Sequence, residues 1–282
     1  MTDNMRDCVD FHVHSNISDG TLTPTEVVKM AADKGLAAIA LTDHDTIDGV
    51  EEALRAGETY GIRVIPGIEI SADYNGSDLH ILGLNIDYKN DEFAGRVAVC
   101  RDSRDGRNLK MVEKMQAQGF PVTWDIMLDR FGDNSITRAH FAKYLLDEGY
   151  VASKDEAFAK YLNPGCPCYV SRVKVTPKEA IEMILLAGGH PVLAHPLLYR
   201  MPKDRLESVI VMLQGYGLQG IEARYSLNRV EDDVFLEKLA TRHGLGMTGG
   251  SDFHGDIKPD IAIGTGKGNL SVLESMCSWI YG

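Results

Sequence analysis

An α/β fold, either a barrel or a doubly wound sheet, broken by one helical insertion, is the architecture this sequence predicts. Three observations carry that expectation. Short apolar runs alternate with helix-start signals. The apolar runs end in polar tips carrying histidine or carboxylate, and in such folds chemistry collects at the carboxyl ends of strands. Between about residues 96 and 165 the rhythm is lost and the chain reads as helices alone.

The first run, residues 9–13, leads into Ser15, Asn16 and Asp19. Strict strand alternation would put Asp10, His12 and His14 on one face and Val9, Phe11 and Val13 on the other, the apolar face covered by helices. Thr23-Pro24-Thr25-Glu26 is a helix start: Thr as N-cap, Pro at the first helical position, Glu three residues past the cap. The helix is expected over 24–34, followed by a buried strand over 36–41 that delivers Asp43, His44 and Asp45. A second helix over roughly 48–60 leads to a strand at 63–70 carrying Glu69. Asn75-Gly76 is a hairpin signal, and the returning strand, residues 79–86, has His80 near its start.

Residues 91–118 read as one long polar helix rich in arginine, and 120–162 carry helical segments without a convincing strand. The expected division is therefore a first barrel part at 1–95, a helical cap at 96–165 and a second barrel part at 166–282, with residues 163–168 as hinge. Thr176-Pro177-Lys178-Glu179 repeats the earlier helix start. Strands at 191–194, 218–223 and 245–248 alternate with helices at 203–214 and 229–242, and a last helix is expected over 271–280.

Composition narrows the class. A hydrophobic fraction of 44% and a charged fraction of 25% are ordinary for a globular protein. No apolar run is long enough to cross a membrane, the amino terminus does not read as a signal peptide, and five scattered cysteines do not suggest a disulfide framework. A cytoplasmic location is the expectation. A net charge of −12 argues against a surface for long duplex nucleic acid. It leaves room for a small anionic substrate, because bound divalent ions turn an acidic pocket positive.

Nine nitrogen or oxygen donors stand at expected strand ends: His12, His14, Asp19, His44, Glu69, His80, His195, Asp252 and His254. That exceeds what one ion uses, and two or three ions sharing carboxylates would occupy them all. Glu69 and Asp252 are the expected bridges, since a carboxylate offers two oxygens and a neutral imidazole one free nitrogen. Without a thiolate in the set, Mn, Fe or Zn is expected. Such a cluster suits hydrolysis by metal-bound hydroxide, here held by His12, His14, Glu69 and Asp252.

Phe11-His12-Val13-His14-Ser15, Leu41-Thr42-Asp43-His44-Asp45, Pro66-Gly67-Ile68-Glu69-Ile70, Leu193-Ala194-His195-Pro196 and Gly250-Ser251-Asp252-Phe253-His254 together resemble the PHP family, the phosphoesterases named after polymerase and histidinol phosphatase. The resemblance implies a distorted (β/α)7 barrel with an inserted helical cap and a trinuclear metal centre, and none of the family's nine ligands is missing. Within the family the insertion resembles the nucleotide-acting branch, whose Gly-Arg-Pro-His-like segment is matched here by Arg138 and His140, with Thr137 and Ala139 departing from it. The resemblance implies that Arg138 and His140 hold a substrate phosphate.

Other residues are weaker candidates. Arg104 and Arg107 share a helical stripe with Arg101, most often a solvated face, and Ser15 and Asn16 serve turns as readily as substrate. Tyr199 and Tyr225 follow strands at the active face and suit a base or a rim. Cys166-Pro167-Cys168 is expected to be a plain loop. The expected function is removal of phosphate from a nucleotide, foremost the 3′-phosphate of a 3′,5′-bisphosphate. The alternatives are a 5′-to-3′ exonuclease on short RNA, a phosphatase of a small metabolite such as histidinol phosphate, and a non-catalytic metal-binding module.

Overall fold

A computed structural model describes residues 5–132, 136–171 and 174–281. The chain forms two compact units, one made of Met1–Val97 with Val175–Gly282 and the other of Ala98–Lys174.

The first unit is a seven-stranded sheet in sequential order, with helices between most strands. Its elements run β1 (Val9–Val13), α1 (Pro24–Asp33), β2 (Ala38–Leu41), α2 (Val50–Tyr60), β3 (Arg63–Tyr74) and β4 (Ser77–Leu84). The chain enters α3 (Asp91–Ala117), which carries it into the second unit. There α4 (Trp124–Phe131), α5 (Arg138–Asp147) and α6 (Lys154–Ala157) follow. The first unit resumes with α7 (Pro177–Leu186), β5 (His190–Leu193), α8 (Lys203–Gln214), β6 (Gly220–Tyr225), α9 (Val230–His243), β7 (Gly246–Gly250) and α10 (Glu274–Cys277).

The local rules explain most of these elements. In α1, Thr23 Oγ1 accepts from Glu26 N at 3.2 Å while Glu26 accepts from Thr23 N at 2.8 Å, and Thr176 with Glu179 repeats the arrangement on α7. Asn75 and Gly76, at φ of 54° and 80°, make a two-residue turn that joins β3 to β4 in an antiparallel pair. Because β4 also runs antiparallel to β5, the barrel departs from an all-parallel one at this hairpin.

The barrel nearly closes where β1 meets the segment after β7. Asp252 N donates to His12 O at 2.8 Å and His14 N to Phe253 O at 2.9 Å. Gly250 permits this approach, since a Cβ there would stand 2.3 Å from His12 Cβ.

Three expectations need correction. Strict alternation fails along β1, whose pairing with β2 shifts register between Asp10 and Val13. Val9 and Phe11 pack with Ala38, Leu82 and Ile280, whereas Val13 packs with Ile39, Val27 and Val28 beneath α1. The Asp10 carboxylate takes the backbone N–H groups of Ser251 and Gly264 and, at 3.4 Å, that of His12, rather than an imidazole. The second unit continues to Lys174, past the expected hinge, because Cys168 is buried in its core with Met111, Phe141 and Leu145. The last helix begins at Glu274, not at 271; the residue before α10, Leu273, is in extended backbone.

Candidate metal centre

Glu69 projects from the middle of β3 and is fully buried. Its Oε1 stands 2.8 Å from His80 Nδ1 and 3.0 Å from His195 Nε2. Its Oε2 stands 3.0 Å from His44 Nδ1 and 3.3 Å from both His12 Nε2 and His14 Nε2. One carboxylate thus divides its two oxygens between two sets of imidazoles. The β1 bulge lets His12 and His14 converge, with their Nε2 atoms 3.1 Å apart.

The other donors complete the ring. Asp19 Oδ1 lies 3.1 Å from His254 Nε2, and Asp19 Oδ2 lies 3.9 Å from His44 Nε2. Asp252 Oδ1 faces His14 Nε2 at 3.4 Å and His254 Nδ1 at 3.3 Å. Four overlapping groups each bring donor atoms close enough for one ion: His14, Asp19, His44 and His254; His12, Glu69 and His195; His12, His14 and Asp252; His44, Glu69 and His80. All nine donors singled out in the sequence therefore lie in one cluster.

The residues fit divalent cations. Glu69 Oε2 is a buried carboxylate oxygen without a hydrogen bond, although three imidazole nitrogens face it. An anionic oxygen left so in a low-dielectric site is costly, and a cation shared with those nitrogens removes the cost. Burial pushes the Glu69 carboxyl upward, yet His44, His80 and His12 together hold it well below its ordinary range. Asp252 behaves likewise against burial, through Lys258, His254 and His12. Burial, Lys258 and His14 pull His254 down to about 4, favouring the neutral ring that a metal ligand needs.

Several residues outside the nine donors hold this cluster in place. Glu222 is fully buried on β6 and accepts from His12 Nδ1 at 3.0 Å and from His195 N at 2.6 Å. Asp43 accepts from Ser15 N, Ser15 Oγ and Ser18 Oγ at 2.8, 2.6 and 2.6 Å, tying down the loop that bears Asp19. Lys258 Nζ and Tyr225 OH both donate to Asp252 Oδ2, at 2.6 and 2.7 Å. Of the two carboxylates expected to bridge, Glu69 turns both oxygens to the histidines and Asp252 turns Oδ1 alone. A carboxylate between Ile221 and Ala223 in a buried stretch of strand was the available signal for Glu222; nothing comparable marks Lys258.

The remaining candidates fall as follows. Ser15 is fully buried with N–H and hydroxyl both on Asp43, a loop-fixing role. Asn16 Oδ1 is buried without a hydrogen bond beside the cluster. Tyr199 donates to Ala194 O and accepts from His80 N, which orients the strand segment bearing His80. In the second unit, Arg104 and Arg107 are 4% and 9% exposed, so neither lies on a solvated face. Also in that unit, Arg138 opens α5 with its guanidinium 5.8 Å from the Tyr169 ring centre, and buried His140 accepts from Thr137 N at 3.0 Å.

A nearly closed α/β barrel with nine converging imidazoles and carboxylates at its strand ends defines a metal-dependent hydrolase. The PHP domain model matches residues 10–162, and the chain belongs to the PHP family of metal-dependent phosphoesterases. It is 39% identical to a 3′,5′-nucleoside bisphosphate phosphatase of Chromobacterium violaceum over 87% of each chain. It is 36% identical to a 5′-3′ exoribonuclease of Haemophilus influenzae over 95% of this chain and 96% of that one. Among solved structures, a sulfate-bound, metal-free amidohydrolase from Chromobacterium violaceum superposes with a TM-score of 0.82 at 38% identity, covering 87% of each chain. A Bifidobacterium adolescentis protein assigned as a metal-dependent phosphoesterase superposes with a TM-score of 0.85 at 32% identity, covering 96% of this chain and 94% of that one.

Proposed function

We propose that this chain removes the 3′-phosphate from a nucleoside 3′,5′-bisphosphate, using two or three Mn, Fe or Zn ions. The observation that carries the reading is Glu69, whose two oxygens address separate imidazole sets, as a carboxylate shared between ions must. The ions supply a water acidified enough to attack phosphorus and positive charge for the phosphoryl oxygens. His12, His14, Glu69 and Asp252 hold the ions used for attack, while Asp19, His44, His254, His80 and His195 complete their ligation. Glu222 fixes His12 with its proton on Nδ1, leaving Nε2 bare toward Glu69. Arg138 and His140 hold the second phosphate, Arg138 through its planar fork. The 39% identity to a bisphosphate phosphatase supports the substrate.

A second reading, stepwise release of 5′-mononucleotides from short RNA, is supported by the exoribonuclease match across 95% of the chain. No helix among the described residues is long and apolar enough to cross a membrane; the cytoplasm is the location we propose. The test is phosphate release by Mn-loaded protein from adenosine 3′,5′-bisphosphate, a short 5′-phosphorylated RNA and histidinol phosphate. Fast release from the bisphosphate, leaving the 5′-monophosphate, is expected. Mononucleotide release from the RNA with an idle bisphosphate would favour the second reading. Turnover of histidinol phosphate alone would overturn both.

A further inference from the structure

Beside the metal cluster, within the barrel unit, a cavity of about 420 Å³ opens between the segments that follow β5, β6 and β7. Its volume lies in the range that takes a small organic ligand. Leu198, Leu227, Ile257 and Ile261 wall it, and Tyr225 and Asp252 also line it. Asp252 belongs to both places: Oδ1 faces the histidines, and Oδ2 takes Lys258 and Tyr225. A molecule filling the cavity therefore abuts the metal centre directly.

The lining selects the kind of molecule. Lys258 is already paired with Asp252, and the other charged lining residues, Asp260 and Lys267, oppose each other in sign. The cavity thus offers no concentrated positive charge for a second phosphate. It offers apolar side chains, two of which are about half exposed: Leu198 at 44% and Leu227 at 50%. Apolar walls beside a tyrosine ring suit an uncharged planar heterocycle, which every base presents as a π-face. A small polar phosphate ester would leave these walls in water.

We propose that this cavity is the nucleobase subsite, receiving the base while the 3′-phosphate lies on the ions. The inference rests on the nucleotide reading above and deepens it. It places base recognition on the barrel and sets it apart from the phosphate-holding role proposed for Arg138 and His140.

The test compares adenosine 3′,5′-bisphosphate with its abasic counterpart, 1-O-methylribose 3,5-bisphosphate, on Mn-loaded wild type, Leu227→Asp and Leu198→Asp. Both positions are about half exposed, so the fold should tolerate the change, and thermal melting checks it. Wild type should prefer the adenosine compound, and each variant should lower that preference in kcat/KM by about tenfold, through KM, with binding of adenosine 5′-monophosphate as inhibitor weakened in parallel. Equal loss on both compounds, or an unchanged preference, would overturn the subsite while leaving the phosphatase reading intact. Turnover of neither compound by the wild type would remove the bisphosphate reading, and the subsite argued from it.

Discussion

Glu222 and His12 meet at 3.0 Å through Nδ1, on the far side of the ring from the nitrogen that faces Glu69. A carboxylate only accepts, so Nδ1 carries a proton and Nε2 is the nitrogen left to face Glu69 and a metal. The same carboxylate accepts from His195 N, so one side chain on β6 orients two donors contributed by β1 and the β5 end. Glu222→Gln keeps the shape and removes the charge. Divalent-ion affinity should weaken by about tenfold, the lower end of the range for such partners, as read by ion content after graded chelation. An unchanged affinity would deny Glu222 this role.

Lys258 and Tyr225 hold Asp252 Oδ2, leaving Oδ1 to the histidines. Burial and the adjacent Asp252 push the Tyr225 phenol well above its usual range, so it stays a donor. Lys258→Met should free Asp252 to rotate and loosen one ion, lowering kcat together with ion retention. Loss of kcat with all ions retained would place Lys258 on the substrate instead.

Adding Mn to chelated protein should raise the melting temperature, because ions bind the folded state and relieve the buried Glu69 Oε2. At a hundredfold excess over Kd the linkage is worth about 2.7 kcal/mol per site. Glu69→Gln should abolish most of the rise. A full rise in that variant would mean the ions bind elsewhere.

Arg138→Ala should raise KM for the bisphosphate by about ten- to hundredfold, the cost of a lost charged hydrogen bond, with a much smaller change on an aryl monophosphate. Equal effects on both substrates would contradict its assignment to a second phosphate.

The α7 cap gives a pH dependence free of the metal site. Hydrogen bonds from Thr176, backbone then side chain, hold Glu179 below its usual value, so its contribution is complete above the unfolded value and is lost as pH falls through the folded one. Glu179→Gln should melt lower than wild type near neutrality, and the gap should close below about pH 4.3, the ordinary glutamate value. A gap that persists in acid would mean the side chain acts by shape rather than charge.

The clustered donors are legible in the sequence because most stand in or just after an apolar run, as His12 and His14 do at the end of β1, with Asp19 and Asp252 a little farther along the loops. Their helices are legible for a similar local reason, the Thr23–Glu26 and Thr176–Glu179 boxes. What local pattern does not contain is long-range pairing. The β1 register shift lies where β1 meets β2, so Asp10 reads as sharing a face with the His12 ring until its carboxylate is seen on the backbone N–H groups of Ser251, Gly264 and His12. Glu222 and Lys258 act through residues 210 and 6 positions away, and only the first leaves a trace, a charge inside a buried strand. Nor does local pattern show that the second oxygen of Asp252 is held by Lys258 and Tyr225.

The seam between His12 and Asp252 has a consequence for biosynthesis. The donors are spread from His12 to His254 along the chain, so translation emits seven of them before the segment that closes the barrel exists. A nascent chain halted at Gly244 would carry those seven donors without the seam that gathers them. Such pairing between distant segments is slow to form. Two of the four donor groups need Asp252 or His254, so filling of those two is coupled to synthesis of the segment after β7.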